Sequence, residues 1–78
     1  MAAREEVLSA ARHLAFNSDD GTFTLSEVLT LMHQRGTRYA DSTIRTHVTS
    51  RMCANAPDHH ATVFDDLMRV QSGRYRLN

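Results

Sequence analysis

Apolar residues recur at helical spacing in three separate stretches of this sequence, and that pattern constrains the fold more than any other feature. The first stretch covers residues 3–16. Its apolar stripe consists of Val7, Leu8, Ala11, Leu14 and Ala15. Steps of three and four residues place such a stripe on one face of a helix, which can then pack on a core. The turn-forming sequence NSDDG, residues 17–21, ends this first predicted helix.

The second predicted helix, residues 25–35, begins with a capping signal and ends at a glycine. In the TLSE sequence, the Thr24 hydroxyl accepts from a backbone N–H and Glu27 reaches back to the helix start. The preceding segment TFT, residues 22–24, alternates polar and apolar side chains and predicts a very short strand. Gly36 lies just past the helix, where glycine commonly ends one. The apolar face consists of Leu25, Val28, Leu29 and Met32.

The third predicted helix, residues 42–54, is unusual because it contains five Ser and Thr residues. These residue types favour caps and turns over helix interiors. The inward positions, spaced by four residues, are Ile44, Val48 and Met52. Asp41 or Ser42 is expected to cap the start of this helix. Asn55 and Pro57 are expected to end it, because proline cannot continue a helix.

The end of the chain predicts a β-hairpin. Two short strand-like segments, LMRV and RYRL, flank the sequence QSG, and a three-residue connection with glycine is typical of a hairpin. Alternation places Tyr75 and Leu77 on one face of the second strand. The other face carries Arg74 and Arg76. The segment before the hairpin, residues 58–66, is expected to cross the surface in extended form.

The order of elements, helix, short strand, helix, helix, strand, strand, predicts an α+β fold that is mainly helical. A chain of 78 residues is expected to form a single domain, residues 1–78. It contains no apolar stretch near the ~20 residues that span a bilayer, and no signal-peptide pattern. We therefore expect a cytoplasmic protein without a membrane partner.

The sequence lacks the residue patterns of catalytic and metal-binding proteins. Its one cysteine, Cys53, precedes His59 and His60, but there is no CxxC or HxxxH pair of the kind that holds structural zinc. There is also no GxSxG, HExxH or glycine-rich phosphate loop. We therefore expect no enzyme activity, no catalytic residue, no metal or other cofactor, and no small-molecule substrate.

Charge is polarised along the chain, although the formal net charge is zero. Residues 1–34 contain two Arg and five acidic residues, a net charge of −3, whereas residues 35–78 contain seven Arg and four acidic residues, a net charge of +3. All nine basic residues are Arg, whose planar fork suits phosphate and guanine, although compositional bias also explains the lack of Lys. The basic half contains the third predicted helix and the hairpin.

The hydroxyl residues of the third predicted helix separate from its apolar residues on a helical wheel of about 100° per residue. The outward positions are Ser42, Thr46, Thr49, Ser50 and Cys53, flanked by Thr43 and Arg45. Short hydroxyl side chains let a helix lie close to the floor of a DNA groove and can bond phosphate or base edges. The alternative is an ordinary solvated surface. Arg45 is the best candidate for a two-bond contact to guanine, and the helix start suits a phosphate.

Two other residues of this helix are expected to support it and not to contact DNA. Arg51 lies nearer the apolar positions and is expected to pair with Asp65 or Asp66. His47 flanks the apolar positions and is expected to be packed and hydrogen-bonded.

The segments TLSEVL, RGTRYADSTIRTHV and RVQSGRYRL resemble three parts of a winged helix-turn-helix domain: the second helix, the turn into the third, and the closing hairpin, or wing. The resemblance covers essentially the whole chain. The run STIRTHV…MCANAP, with the later HH and FDDL sequences, is also similar to small bacterial winged-helix modules that occur alone or attached to nuclease or restriction-type proteins. The family implies binding of double-stranded DNA, by the third helix in the major groove and by the wing near the backbone or minor groove.

The resemblance and the basic second half together predict a double-stranded DNA-binding domain, as a regulator or as the DNA-reading module of a larger bacterial protein. The expected DNA-binding residues are Arg38, Tyr39, Ser42, Thr43, Arg45, Thr46, Thr49, Ser50, Arg69, Arg74 and Arg76. Tyr39 could instead pack on the core, and the hairpin arginines could instead guard an edge strand against aggregation.

Two other functions stay open. A winged-helix module for protein interaction, with a protein partner or a second copy of itself, is favoured by the zero net charge, since many DNA-binding domains are markedly basic. Recognition of modified DNA is suggested by the similarity to nuclease-linked modules. The few aromatic residues argue against a pocket for a flipped base.

Overall fold

A computed structural model of the chain describes residues 2–55 and 64–78. Its elements follow the predicted order, and the α+β, mainly helical fold class is confirmed. The elements are α1 (Ala3–Phe16), β1 (Thr22–Thr24), α2 (Leu25–Gln34), α3 (Asp41–Thr46), a π-helical segment (His47–Arg51), β2 (Leu67–Gln71) and β3 (Arg74–Leu77). We refer to α3 and the π-helical segment together as the third helix. Within the described ranges, no helix is long and apolar enough to cross a membrane.

The first two helices form where local sequence signals place them. α1 covers the predicted residues, and a turn follows in which the Asp20 carboxylate accepts hydrogen bonds from Thr22 and Ser18. These bonds lower the pKa of Asp20 to about 2, and the bond from the Thr22 hydroxyl has the largest effect. α2 ends one residue earlier than predicted, before Gly36, whose φ of 75° glycine adopts without strain.

The capping box predicted at the start of α2 is fully formed. The Glu27 N–H donates to the Thr24 hydroxyl oxygen at 3.0 Å, and the Thr24 N–H donates to the Glu27 carboxylate at 2.7 Å. We expect Thr24→Ala to lower the free energy of unfolding, measured by urea denaturation, by about 1 kcal/mol, because alanine removes the acceptor. Thr30→Ala, at an exposed position inside the same helix, is the control and should cause no loss, since alanine is the better helix former. An equal loss in both variants would contradict this role for Thr24.

A three-stranded antiparallel sheet packs against the helices, with β3 between β1 and β2. α1 is central, because it contacts β1, β3, α2 and the third helix. Phe23 of β1 lies directly opposite Tyr75 of β3, on the inner face of the sheet. The buried core consists of Val7, Ala10, Ala11, Phe23, Val28, Met32, Ile44, Val48, Met52, Cys53, Leu67 and Tyr75. Strands and helices therefore share one core.

The ends of the third helix differ from the prediction. The helix runs from residue 41 to residue 51, so it stops three residues before the predicted end. Neither Asp41 nor Ser42 caps it: the N-cap position is Ala40, and no side chain bonds the free backbone groups there. The Asp41 carboxylate instead contacts His33 Nε2 at 2.5 Å, which links the end of α2 to the start of α3. The expectations for Pro57 and for residues 58–63 lie outside the described residues.

The second half of the third helix is π-helical. The Met52 N–H donates to the His47 carbonyl at 2.8 Å, a bond that spans five residues. A π-helix needs more residues per turn than the 3.6 of an α-helix, so the following side chains rotate away from the positions of a standard wheel. Cys53 therefore does not lie on the outward face as predicted. It is buried and forms a parallel bridge with Leu67.

The residues after the third helix cover the outer edge of β2. The Ala54 N–H donates to the Leu67 carbonyl at 2.7 Å. The Asn55 side chain continues this pairing: its oxygen accepts from the Arg69 N–H and its amide donates to the Arg69 carbonyl, both at 2.9 Å. An edge strand with free backbone groups is otherwise open to pairing with another chain. The same contacts fix the end of the third helix to the hairpin.

Candidate nucleic-acid interface

The third helix presents a polar surface opposite its buried residues. Its inward residues are buried as predicted, and they are Ile44, Val48 and Met52. On the other side, Ser42, Arg45 and Thr46 are exposed. The neighbouring residues Thr43, Thr49 and Ser50 are half-buried. Across the part of the chain that the structure describes, Arg45 makes no side-chain hydrogen bond or ion pair, so its guanidinium is available to a ligand.

Three side chains of this helix bond the carbonyl four residues earlier. The Thr46 hydroxyl donates to Ser42 O at 2.9 Å, and the Thr49 hydroxyl donates to Arg45 O at 2.7 Å. His47 Nδ1 lies 2.8 Å from Thr43 O. Bonds of this kind compete with the backbone ladder and bend helices, and here they occur just where the helix becomes π-helical. Because the hydroxyl protons of Thr46 and Thr49 are already used in these bonds, the two hydroxyl oxygens can only accept hydrogen bonds from a ligand.

An open groove of about 260 Å³ runs along this surface. Its lining residues are Ser42, Thr43, Thr46, His47 and Arg51. The prediction that His47 is hydrogen-bonded is confirmed, and its side chain is half-buried. The prediction for Arg51 is wrong. Arg51 is exposed and, among the described residues, forms no ion pair with Asp65 or Asp66. The π-helical turn brings Arg51 to the groove, where a standard wheel does not place it.

Asp66 pairs with a distant arginine at the other end of the chain. Arg4 Nε and a terminal guanidinium nitrogen donate to the two Asp66 carboxylate oxygens at 2.8 and 2.9 Å. The Arg4 guanidinium also lies 4.1 Å from the centre of the Phe64 ring. The hydrogen bonds that Arg4 donates to the Asp66 carboxylate raise the pKa of Arg4. This contact joins α1 to the start of the hairpin, and it leaves Arg51 without the partner that the sequence indicated.

The two residues predicted to contact DNA before the third helix differ in exposure. Arg38 is exposed. Tyr39 is half-buried and packs against the core, which is the alternative that the sequence left open. The Thr37 hydroxyl accepts from the Tyr39 N–H at 3.3 Å and donates to Glu6 of α1 at 3.1 Å. The connection is therefore attached to the body of the domain, and it presents Arg38 to solvent.

The hairpin arginines lie on opposite faces of the sheet. Arg69 of β2 pairs in register with Tyr75, and its backbone is held by Asn55, so it lies beside the end of the third helix. Arg74 and Arg76 point to the other face. Arg74 is half-buried and donates to the Thr22 hydroxyl at 2.9 Å. Because β3 is the central strand, neither of these two arginines guards a sheet edge, and that alternative is wrong for them.

No group of three or more His, Cys, Asp or Glu side chains that could hold a metal ion occurs within residues 2–55 and 64–78. The Cys53 thiol is buried and donates to the Asn55 side-chain oxygen at 3.1 Å. His59 and His60 lie outside the described residues. Among the described residues, this surface therefore offers arginine guanidinium groups as donors and hydroxyl oxygens as acceptors.

A known protein family matches almost the whole chain. The family model described as a domain of unknown function, DUF7669, matches residues 3–77. No curated protein and no solved structure matches this chain. Since the match extends from the first residue of α1 to the last residue of β3, the chain belongs to the DUF7669 family.

Proposed function

We propose that this chain binds double-stranded DNA in the manner of a winged helix-turn-helix domain, as a regulator or as the DNA-reading module of a larger bacterial protein. The third helix would enter the major groove, and the hairpin would lie near the backbone. One observation carries the proposal: the core holds one side of the third helix, while the other side exposes hydroxyls and two arginines without an ion-pair partner in the described residues. The major groove admits an α-helix, and arginine is the residue that most often contacts guanine there.

The exposed arginines divide into two roles. Arg45 projects from the exposed surface of the third helix, which supports a contact to a base edge. Arg38, just before the helix, and Arg69, beside its end, flank that surface and suit the phosphates on either side. Phosphate contacts orient a protein on DNA, whereas base contacts distinguish sequences. Arg76 is exposed on the other face of the sheet and could reach the backbone only from that side.

A titration of fluorescent duplex DNA, followed by anisotropy at low salt, tests the proposal. Binding to random-sequence duplex is expected in the micromolar range, with the logarithm of the binding constant falling linearly with the logarithm of salt concentration. A selected sequence should bind more tightly than the random one. Failure of every duplex, methylated and unmethylated, to bind in the micromolar range would contradict the proposal.

Arg69→Ala is expected to weaken binding to all duplexes alike, because a phosphate contact carries no sequence information. The slope of log affinity against log salt should become shallower by about 1, the value for one lost phosphate contact. Arg12→Ala, which removes an exposed arginine from α1, is the matched control and should leave both affinity and slope unchanged. A loss confined to one DNA sequence would contradict the phosphate role of Arg69.

Protein interaction is the second candidate function, and two exposed apolar side chains favour it. Phe16 is 90 % exposed at the end of α1, and Val70 is 44 % exposed on β2. A formal net charge of zero is also lower than that of many DNA-binding domains. Light scattering separates the two functions. A stable dimer or hetero-complex, with no change of DNA mobility, would support protein interaction in place of DNA binding.

A further inference from the structure

The groove on the third helix has a defined pattern of hydrogen-bond donors and acceptors. His47 Nδ1 contacts the Thr43 carbonyl, and a carbonyl oxygen can only accept. Nδ1 therefore carries a proton, and in the neutral ring Nε2 is an acceptor. Across the described residues, no buried side-chain nitrogen or oxygen lacks a partner. Because Nε2 has no hydrogen-bond partner among the residues that the structure describes, that atom reaches solvent.

Thr46 contributes a second acceptor to the same groove. Its hydroxyl proton is committed to the Ser42 carbonyl at 2.9 Å, so the oxygen can accept from a ligand but has no proton to donate. His47 and Thr46 are adjacent in sequence, and both line the groove. A phosphate offers only acceptors, so it would meet two acceptors here. At these two atoms, the groove therefore suits a hydrogen-bond donor better than a phosphate oxygen.

Arg51 supplies hydrogen-bond donors to the same groove. Its guanidinium presents a planar fork of N–H groups that matches two acceptors side by side. In the major groove, guanine presents such a pair, N7 and O6, whereas adenine presents N7 beside an amino group. The cytosine paired with that guanine presents the N4 amino group as a donor. The Arg51 fork, together with the acceptors on His47 and Thr46, therefore complements the major-groove edge of a G·C pair.

We propose that this groove recognises one G·C base pair, with guanine bound by Arg51 and the cytosine amino group bound by His47 and Thr46. The inference rests on the proposed DNA binding and adds a recognition position beyond Arg45. The π-helical turn is what makes it possible, because it brings Arg51 to the groove that Thr46 and His47 line. π-Helical turns often occur at functional sites.

The test combines a protein variant with a base analogue. Preferred duplexes are first selected from a random pool with the unmodified chain, and each guanine is then replaced singly by 7-deazaguanine, which pairs normally but lacks the N7 acceptor. At one guanine, the replacement should weaken binding roughly ten- to a hundred-fold, the range for losing one hydrogen bond to a charged group. Arg51→Ala should lose affinity by a similar factor for the natural duplex and should be insensitive to the replacement at that guanine. Circular dichroism checks that the variant is folded, as expected for an exposed side chain.

Thr46→Val gives an independent measurement, because valine keeps the shape of threonine and removes the acceptor. Selection with this variant should relax the preference for G·C at the same pair and leave the other positions unchanged. The inference is overturned if Arg51→Ala weakens all duplexes alike and every 7-deazaguanine replacement affects both proteins equally, since Arg51 would then contact phosphate. That result leaves the proposed DNA binding intact. Failure of the unmodified chain to bind any duplex overturns both.

Discussion

Phe23→Ala is expected to lower the free energy of unfolding by about 3–5 kcal/mol, the usual cost of removing a buried phenyl ring. Phe23 is only 1 % exposed and lies opposite Tyr75 across the sheet, so the cavity would open where the strands meet the helices. Domains commonly have about 5–15 kcal/mol of stability, and a chain of this size lies towards the low end. A large part of the variant should therefore be unfolded at physiological temperature.

Phe16→Ala is the matched control, because it makes the same chemical change at a side chain that is 90 % exposed. Its effect should stay within about 0.5 kcal/mol, as for most surface substitutions. Urea denaturation followed by circular dichroism measures both variants. Similar losses for Phe16→Ala and Phe23→Ala would contradict the core described above.

Arg45→Ala is expected to weaken binding to the preferred DNA sequence by about 1–3 kcal/mol and to relax the preference at one base pair. The exposed guanidinium makes no ion pair in the described residues, so its removal should not cost folding stability. Competition between duplexes that differ at single positions measures the change in preference.

Arg45→Lys separates the shape of the side chain from its charge. Lysine keeps the attraction to phosphate but lacks the planar fork that bonds guanine N7 and O6 together. It should therefore lose discrimination at the same base pair while retaining most of the non-specific affinity. If lysine fully preserves discrimination, Arg45 does not contact guanine through its fork.

The first two helices could be predicted closely because their signals are local. The Thr24–Glu27 box and Gly36 act within a few residues of the helix ends that they define, and both behave in the structure as the sequence indicates. The hairpin could also be predicted, because the alternation of side chains along a strand determines which residues share a face. The sequence also predicts β1 as a strand. Its pairing with β3 depends on tertiary packing, because α1 contacts both strands and also the other helices.

The third helix was harder to predict because its geometry departs from the regular α-helix. A wheel with a constant angle places Cys53 outward and Arg51 near the apolar residues, and the π-helical turn reverses both. The sequence does contain a signal, since Thr46, His47 and Thr49 can each bond the carbonyl four residues earlier. The effect of such bonds on the helix is not fixed by spacing alone.

Long-range contacts account for the remaining differences. Arg4 and Asp66 are 62 residues apart in sequence, and no local pattern indicates that they pair. Asn55, predicted only as a helix end, bonds both backbone groups of Arg69 in the hairpin. Because Arg4 pairs with Asp66, Arg51 lines the groove without an Asp66 partner. Because Asn55 holds Arg69, that arginine lies beside the third helix, in contrast to Arg74. The candidate surface could therefore be predicted by residue type, but its boundary depends on the tertiary structure.

The most direct test of DNA recognition by the third helix is an NMR titration that follows each backbone amide as duplex DNA is added. We expect the largest chemical-shift changes within residues 42–51, with smaller changes at Arg38 and Arg69. The exposed face of α1 around Arg12 should remain unchanged. Shifts that cluster on α1 around Phe16, or the absence of shifts in the third helix at saturating DNA, would contradict the assignment of this surface as the DNA-binding site.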